Sequence, residues 1–442
     1  MFRHNARRQF LKTSTAFALP WIVPATVRGD QGTTPNDRIN FGVIGLGGRG
    51  MYLLHSLLKE EQVRVVGICD VHEQHYRDNA WGKGYVMGRA GGRQTIEKAY
   101  GSTDGLVVTN DYREICALEQ VDAVLVATPD HWHALCVLEA IKHGKDVYGE
   151  KPVSHTFAEG KKIRDRLRET KSVFQTGSQQ RSDPLFRQAA ELILNGHVGQ
   201  VKRIEVGLPP GYADPQGDDT IVTPPKGLDY DKWCGPAAKL PYMRARHHRW
   251  WRGHRAYGGG VLMDWIGHHN DIAHWSLDAD RSGPHAVEAV DWRFPETKVY
   301  DTPRDYEIVC EYAGGVRSSI SNKNKLGTKW IGEEGWVYVN RGKIQASDER
   351  LLAKDFNRGS KKLFVSPGHM QNFLDCVRSR ETCVAPAETA HRSITPGFLG
   401  YVSHQLGRKL VWDPQSEQVE NDDEANRSLR LNPYRKPWSL AG

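Results

Sequence analysis

The chain has 442 residues, with 60 Lys and Arg against 53 Asp and Glu, a formal charge of +7. At ~100–200 residues per domain this length suits about two domains. With 39% hydrophobic and 26% charged residues, the composition excludes a largely disordered chain and an integral membrane protein. The basic excess raises nucleic-acid binding as a reading, which depends on where the charge sits.

Residues 1–25 read as an export signal. The run Ala6-Arg7-Arg8-Gln9-Phe10-Leu11-Lys12 precedes an apolar stretch from Ala16 to Val23, and Val23-Pro24-Ala25 offers a cleavage site after Ala25. Adjacent arginines followed by Phe-Leu-Lys make it the twin-arginine type, a receptor-read address to the periplasm. A transmembrane helix needs ~20 apolar residues, and the run is far shorter, so stable membrane insertion is not expected. The leader holds Arg3, Arg7, Arg8 and Lys12 and no acid, which leaves a charge of +3 on the remainder and no argument for nucleic acid.

Residues 26–37, rich in Gly, Thr, Pro, Asn and Asp, read as a linker. The first domain, 38–155, begins with a strand over 39–44, a glycine turn over 45–50 and a helix over 51–58. Strands over 63–70, 121–128 and 146–149, with a helix over 131–143, continue an alternation that specifies a doubly wound parallel sheet of Rossmann type. The Gly-rich segment 81–100 reads as a loop insertion.

The second domain, 156–412, opens with a helix over 156–170. It continues with a strand over 201–206, a Pro/Gly-rich loop near 208–240 and alternating runs at 286–294, 305–312, 315–322 and 329–346. These predict an α+β domain with an open, mainly antiparallel sheet. Helices follow over 368–379 and 386–408, and the charged segment 413–442 reads as an extended tail. The seven cysteines, at 69, 116, 136, 234, 310, 376 and 383, show no CxxC spacing and predict no disulfide framework.

Gly45-Leu46-Gly47-Gly48-Arg49-Gly50 is a G-x-G-x-x-G turn between strand and helix, built to hold a dinucleotide pyrophosphate at the helix N-terminus. Asp70 ends the next strand 20 residues after Gly50, where a carboxylate binds the adenosine ribose hydroxyls. An acid there repels a 2′-phosphate, so NAD is expected over NADP. Thr128, Pro129 and His133 follow a strand end where they would line the nicotinamide; the alternative is a plain strand-to-helix turn.

Four motifs together resemble the Gfo/Idh/MocA family of sugar oxidoreductases (glucose–fructose oxidoreductase and inositol dehydrogenase): the glycine turn with Asp70, Thr128-Pro129-Asp130-His131-Trp132-His133, Glu150-Lys151-Pro152, and Gly258-Gly259-Gly260-Val261-Leu262-Met263-Asp264 leading to His268. The resemblance implies that Glu150 neighbours the cofactor, Lys151 lies between nicotinamide and substrate, and Asp264 and His268 form an acid–base pair. It also implies substrate contacts from Asp271 and Arg181, although Thr-Gly-Ser-Gln-Gln replaces the family's aromatic-rich sequence before Arg181. It further implies a carbohydrate or polyol substrate and a homo-oligomer, dimer or tetramer.

Spacing alone puts Asp264 and His268 at i and i+4 on one helix face, where a carboxylate would orient the imidazole and raise its basicity. Read without the other motifs, the pair would pack the helix, and Lys151 would be a surface lysine. Of 13 tryptophans, those at 233, 250, 251, 265 and 275 lie near this helix; Trp251 and Trp265 are the candidates for stacking on a sugar ring, the rest core filler. Histidines 247, 248, 254, 268, 269 and 274 match no zinc-ligand spacing, so no metal is expected.

The expected function is therefore an exported NAD(P)-dependent oxidoreductase of sugars or polyols. Two rivals remain: a redox glycosidase or lyase that oxidises its sugar transiently with a retained cofactor, and a non-catalytic sugar- or dinucleotide-binding protein.

Overall fold

Val, Ile and Phe dominate Ile39–Ile44, and this run forms β1, the centre of a six-stranded sheet. The computed structural model describes residues 37–76, 86–430 and 434–440, of which Ile39 onward forms one unit. The export signal and most of the expected linker lie outside the described residues. No helix of the described residues is long and apolar enough to cross a membrane.

The sheet comprises β1, β2 (Val63–Cys69), β3 (Val107–Thr109), β4 (Ala123–Val126), β5 (Asp146–Gly149) and β6 (Phe174–Thr176), in the order β3-β2-β1-β4-β5-β6 and parallel throughout. Helices α1 (Gly48–Leu57), α2 (Gly88–Tyr100), α3 (Tyr112–Ala117), α4 (Asp130–Lys142) and α5 (Phe157–Thr170) make the crossovers. The order reverses between β1 and β4, and a ligand cleft opens at the strand carboxyl ends there. Two expectations change. Residues 88–100 are helical, not a loop, because buried Gly92 packs against Leu46 and Ile68 and tertiary contact outweighs poor glycine propensity. The parallel sheet also passes residue 155, since β6 pairs with β5.

The remaining elements form a nine-stranded sheet. In chain order they are α6 (Pro184–Leu194), β7 (Val201–Gly207), α7 (Tyr230–Cys234), α8 (Gly260–Ser276), β8 (Ala286–Arg293), β9 (Asp305–Tyr312), β10 (Val316–Ser321), β11 (Gly327–Gly332), β12 (Trp336–Asn340), β13 (Lys343–Ala346), α9 (His369–Ser379), α10 (Ala387–Leu406), β14 (Leu410–Asp413), β15 (Gln418–Val419) and α11 (Asp423–Ser428). The strand order is β13-β12-β11-β7-β10-β9-β8-β14-β15; β7 and β10 are parallel and all other neighbours antiparallel. The run expected as one strand at 329–346 divides into three, with turns at Gly335 and Gly342. Helices α6, α8 and α10 pack against this sheet, and buried Trp330 of β11 donates its indole N–H to Ser276 of α8 at 2.8 Å. All seven cysteines are buried free thiols.

The C-terminal segment is not an extended strap. It adds β15 and α11, then reaches back so that Tyr434 bonds Glu159 and Trp438 meets Trp132 edge to face at 4.8 Å. Its fastener is Glu417, whose side chain is 2% exposed and surrounded by Arg164, Lys161, Arg392 and His391. Burial alone would raise the Glu417 pKa; hydrogen bonds from His391 and Arg164 hold it well below the ordinary carboxylate range instead. This stabilisation is present above the unfolded-state pKa, near 4.3, and is lost as pH falls. Glu417→Ala strands buried cations and should cost about 3–5 kcal/mol in urea unfolding at pH 7. A loss that is unchanged at acid pH would contradict this ion-pair account.

Candidate active site

Gly45 takes φ +90° and its N–H donates to the Cys69 carbonyl at 2.8 Å, turning the chain sharply out of β1. A side chain on Gly50 would strike the Gly45 carbonyl oxygen, whereas the space around Gly47 is open. The start of α1 carries no acid in its first turn and no side-chain cap. Its first N–H groups are therefore available to an anion. Asp70 binds back onto this turn: one carboxylate oxygen accepts the Leu46 N–H at 2.7 Å, the other the His72 N–H at 2.8 Å. Burial raises the Asp70 pKa, and these two hydrogen bonds partly offset the rise. Each oxygen keeps a lone pair for a ribose hydroxyl.

A cavity of about 780 Å³ runs from this turn into the second sheet's helices, within the ~300–1,000 Å³ range of small-molecule and cofactor sites. It is lined by Gly45, Gly47, Gly48, Arg49, Asp70, Thr128, Pro129, Glu150, Lys151, Trp251, Asp264, Trp265 and His268. These residues fit a dinucleotide: an open glycine turn and bare helix N-terminus for the diphosphate, and a carboxylate at the end of β2.

Five expected site residues stand elsewhere. Leu46 and Gly50 face the core behind the turn. His133 is buried behind the lining, its ring nitrogens 2.6 Å from the Pro152 carbonyl oxygen and 3.0 Å from that of Thr128. It ties two cavity-lining turns together instead of touching the nicotinamide position. Arg181 and Asp271 are each 1% exposed and paired with one another at 2.7 Å, with Asp280 closing the other side of the guanidinium at 2.7 Å. With carboxylates on both sides and Trp275 under its plane, buried Arg181 fastens α8 to the turn before α6.

The charged centre sits where β5 meets α8. Lys151 Nζ donates to the Asp264 carboxylate at 2.6 Å and to the Asp264 carbonyl at 2.7 Å. Arg252 forms a second ion pair with the same carboxylate at 3.0 Å while its guanidinium lies 4.2 Å over the Trp251 ring. Burial alone would raise the Asp264 pKa, but Arg252 and Lys151 hold it well below the usual range. Asp264 is therefore spent on two cations and not on orienting His268, as the i, i+4 spacing suggested. His268 is held neutral by burial and by Lys151, and its Nδ1 is buried without a protein partner. Trp265 meets it edge-on at 5.6 Å, and Arg341, from the β12–β13 turn, lies 5.0 Å over the Trp265 ring.

Sequence reasoning missed Asp130, Arg252 and the histidines at 72 and 75. Asp130 lines the cavity from the first turn of α4, with Oδ2 buried and unpartnered. Gly258 leaves it room, since a side chain there would meet Trp251 and Asp130. Asp130 stands in the quoted Thr-Pro-Asp-His-Trp-His motif, which was its available signal; Arg252 had none, being one arginine in a basic loop.

Burial drives the Asp130 pKa up to about 7, against the pull of Arg252. A raised carboxyl pKa means that folding is penalised increasingly between the unfolded value, about 3.9, and about pH 7. Asp130→Asn should therefore stabilise the protein more at pH 8 than at pH 5 in thermal melts; a gain independent of pH would contradict the assignment.

Comparison with known proteins agrees with this geometry. Residues 39–178 match the model of an oxidoreductase family's NAD-binding Rossmann fold, and residues 216–440 match that family's C-terminal alpha/beta domain. The chain is 28% identical over 380 residues to myo-inositol 2-dehydrogenase of Thermotoga maritima, covering 84% of this chain and 93% of the relative. It is 26% identical over 320 residues to scyllo-inositol 2-dehydrogenase (NAD(+)) of Bacillus subtilis strain 168, covering 69% and 82%. The WlbA dehydrogenase of Bordetella pertussis, crystallised with NADH and UDP-GlcNAcA, shares the fold with a TM-score of 0.58 at 17% identity, covering 84% of this chain and 98% of that one.

Proposed function

The chain belongs to the Gfo/Idh/MocA oxidoreductase family, with NAD as its cofactor, and from that premise we propose that it moves a hydride between NAD and a hydroxyl of a sugar, inositol or related polyol. The observation that carries this reading is the Lys151–Asp264 pair beside neutral His268 on the wall of the dinucleotide cavity. The two inositol dehydrogenase relatives support the substrate class. When bound, the nicotinamide supplies the hydride acceptor or donor.

The protein's own groups then handle the proton and the position of the substrate. Lys151 Nζ spends two donors on Asp264 and keeps one N–H for the reacting oxygen, whose developing negative charge it stabilises. The neutral His268 imidazole takes the hydroxyl proton during oxidation and returns it during reduction. Asp264, kept ionised by Arg252, holds the ammonium in place. Trp251 and Trp265 give flat apolar faces for the sugar C–H groups. Thr128 Oγ1 and Asp130 Oδ2, both buried without protein partners, are the polar groups left for substrate or cofactor amide contacts.

The reading includes export. Arg7-Arg8 with Phe10-Leu11-Lys12 and a cleavage site after Ala25 support twin-arginine passage of the folded enzyme to the periplasm. It also includes a homodimer or homotetramer, supported by exposed Val290 of β8 and Val411 of neighbouring β14.

Purified protein supplied with NAD and a panel of inositols, sugars and glycosides should reduce the dinucleotide without bond cleavage. Lys151→Ala and His268→Ala should each lower kcat by about 10²–10⁴-fold while NAD still binds. Glycoside cleavage at constant dinucleotide would instead mark a redox glycosidase or lyase, and binding without turnover a sensor. For export, the double substitution Arg7→Lys with Arg8→Lys should leave uncleaved protein in the cytoplasmic fraction. Normal processing of that variant would sink the twin-arginine reading.

A further inference from the structure

We propose that His72, His75 and His248 bind a divalent transition-metal ion at the mouth of the cofactor cavity, joining the turn after β2 to the loop that carries Trp251 and Arg252. The three imidazoles come from two remote parts of the chain. His72 and His75 follow Asp70, and His75 exchanges backbone hydrogen bonds with Met87 at 3.2 and 2.9 Å. His248 arrives in a 3-10 turn, His248–Gly253, whose next residues line the cavity. One ligand nitrogen from each ring lies within 4.8 Å of the other two. A tetrahedral ion with ~2.0–2.1 Å bonds needs about 3.4 Å between such nitrogens, so closure by side-chain rotation suffices.

Two further observations favour a ligand over histidines that merely fill space. His72 Nδ1 and His75 Nδ1 are buried without hydrogen-bond partners, on side chains 5% and 8% exposed. Neighbouring His247, 1% exposed, has neither ring nitrogen partnered. Buried polar atoms are ordinarily paired, and these unpaired nitrogens cluster at one spot. His248 also holds φ +50°, the left-handed region costly for a residue with a Cβ, which places its ring 4.0 Å from that of His75 and 3.7 Å from that of His247.

The donor set fixes the class of ion. Three imidazoles without a carboxylate or thiolate suit zinc, cobalt, nickel or copper, and not magnesium or calcium. Three protein ligands leave a position open to water or to an oxygen of a molecule in the cavity. The ion would hold the 248–253 turn, and with it Arg252, against the parallel-sheet half of the molecule. The inference does not depend on hydride transfer, because metal content is read without turnover.

The test uses the full chain without a polyhistidine tag, stripped with chelator and then offered Zn²⁺ or Co²⁺. About one equivalent should bind, Co²⁺ should give the visible bands of a nitrogen-ligated tetrahedral or five-coordinate ion, and chelator should lower Tm. His75→Ala and His248→Ala should each weaken binding by more than ~100-fold, whereas His254→Ala, outside the cluster, should not. His75→Gln keeps size and polarity, so it separates lost ligation from lost folding. Binding below about a tenth of an equivalent by the wild-type chain, or equal binding by the His75 and His248 variants, would overturn the proposal.

Discussion

One buried carboxylate between two cations organises the catalytic half of this molecule. Asp264 comes from α8, which belongs to the nine-stranded sheet's layer, and Lys151 from the end of β5 in the parallel sheet. Arg252 comes from the intervening loop. Two cations around one largely buried acid keep that acid ionised. Removing Asp264 would strand both cations, so the carboxylate is the member on which the geometry of the three depends. The cleft between the sheets is thereby held at one width, with the glycine turn at one end and Trp265 and His268 at the other.

Other buried charges repeat the device without reaching the cavity. Arg181 with Asp271 and Asp280 anchors the far end of α8, and Glu417 with Arg164 and His391 anchors the C-terminal segment. Each ties together segments that are distant in the chain. The family resemblance implied substrate contacts for Arg181 and Asp271; both are 1% exposed and paired with one another.

His268 and Asp130 show how environment assigns roles to groups of known type. Burial beside Lys151 keeps His268 uncharged. Burial with an unpartnered oxygen pushes Asp130 toward holding one near neutrality. Two titratable groups displaced by burial at one cavity are the pattern expected of a functional site.

Apart from the family resemblance that supplied Lys151, the amino-acid sequence by itself determined the alternation that builds the parallel sheet, the glycine turn with Asp70, and the shared helix face of Asp264 and His268. Those are local facts: period, turn chemistry and the spacing of a single helix. It could not determine that residues 88–100 form a helix, since that follows from Gly92 packing on Leu46 and Ile68. Nor could it say that Asp264 turns to Lys151 and Arg252 in place of His268, or that His72 and His75 meet His248. Those depend on tertiary contacts, Lys151 with Asp264 and His72 with His248 being more than a hundred positions apart, where burial and charge compensation select the partner, and neither is written in any short stretch of chain.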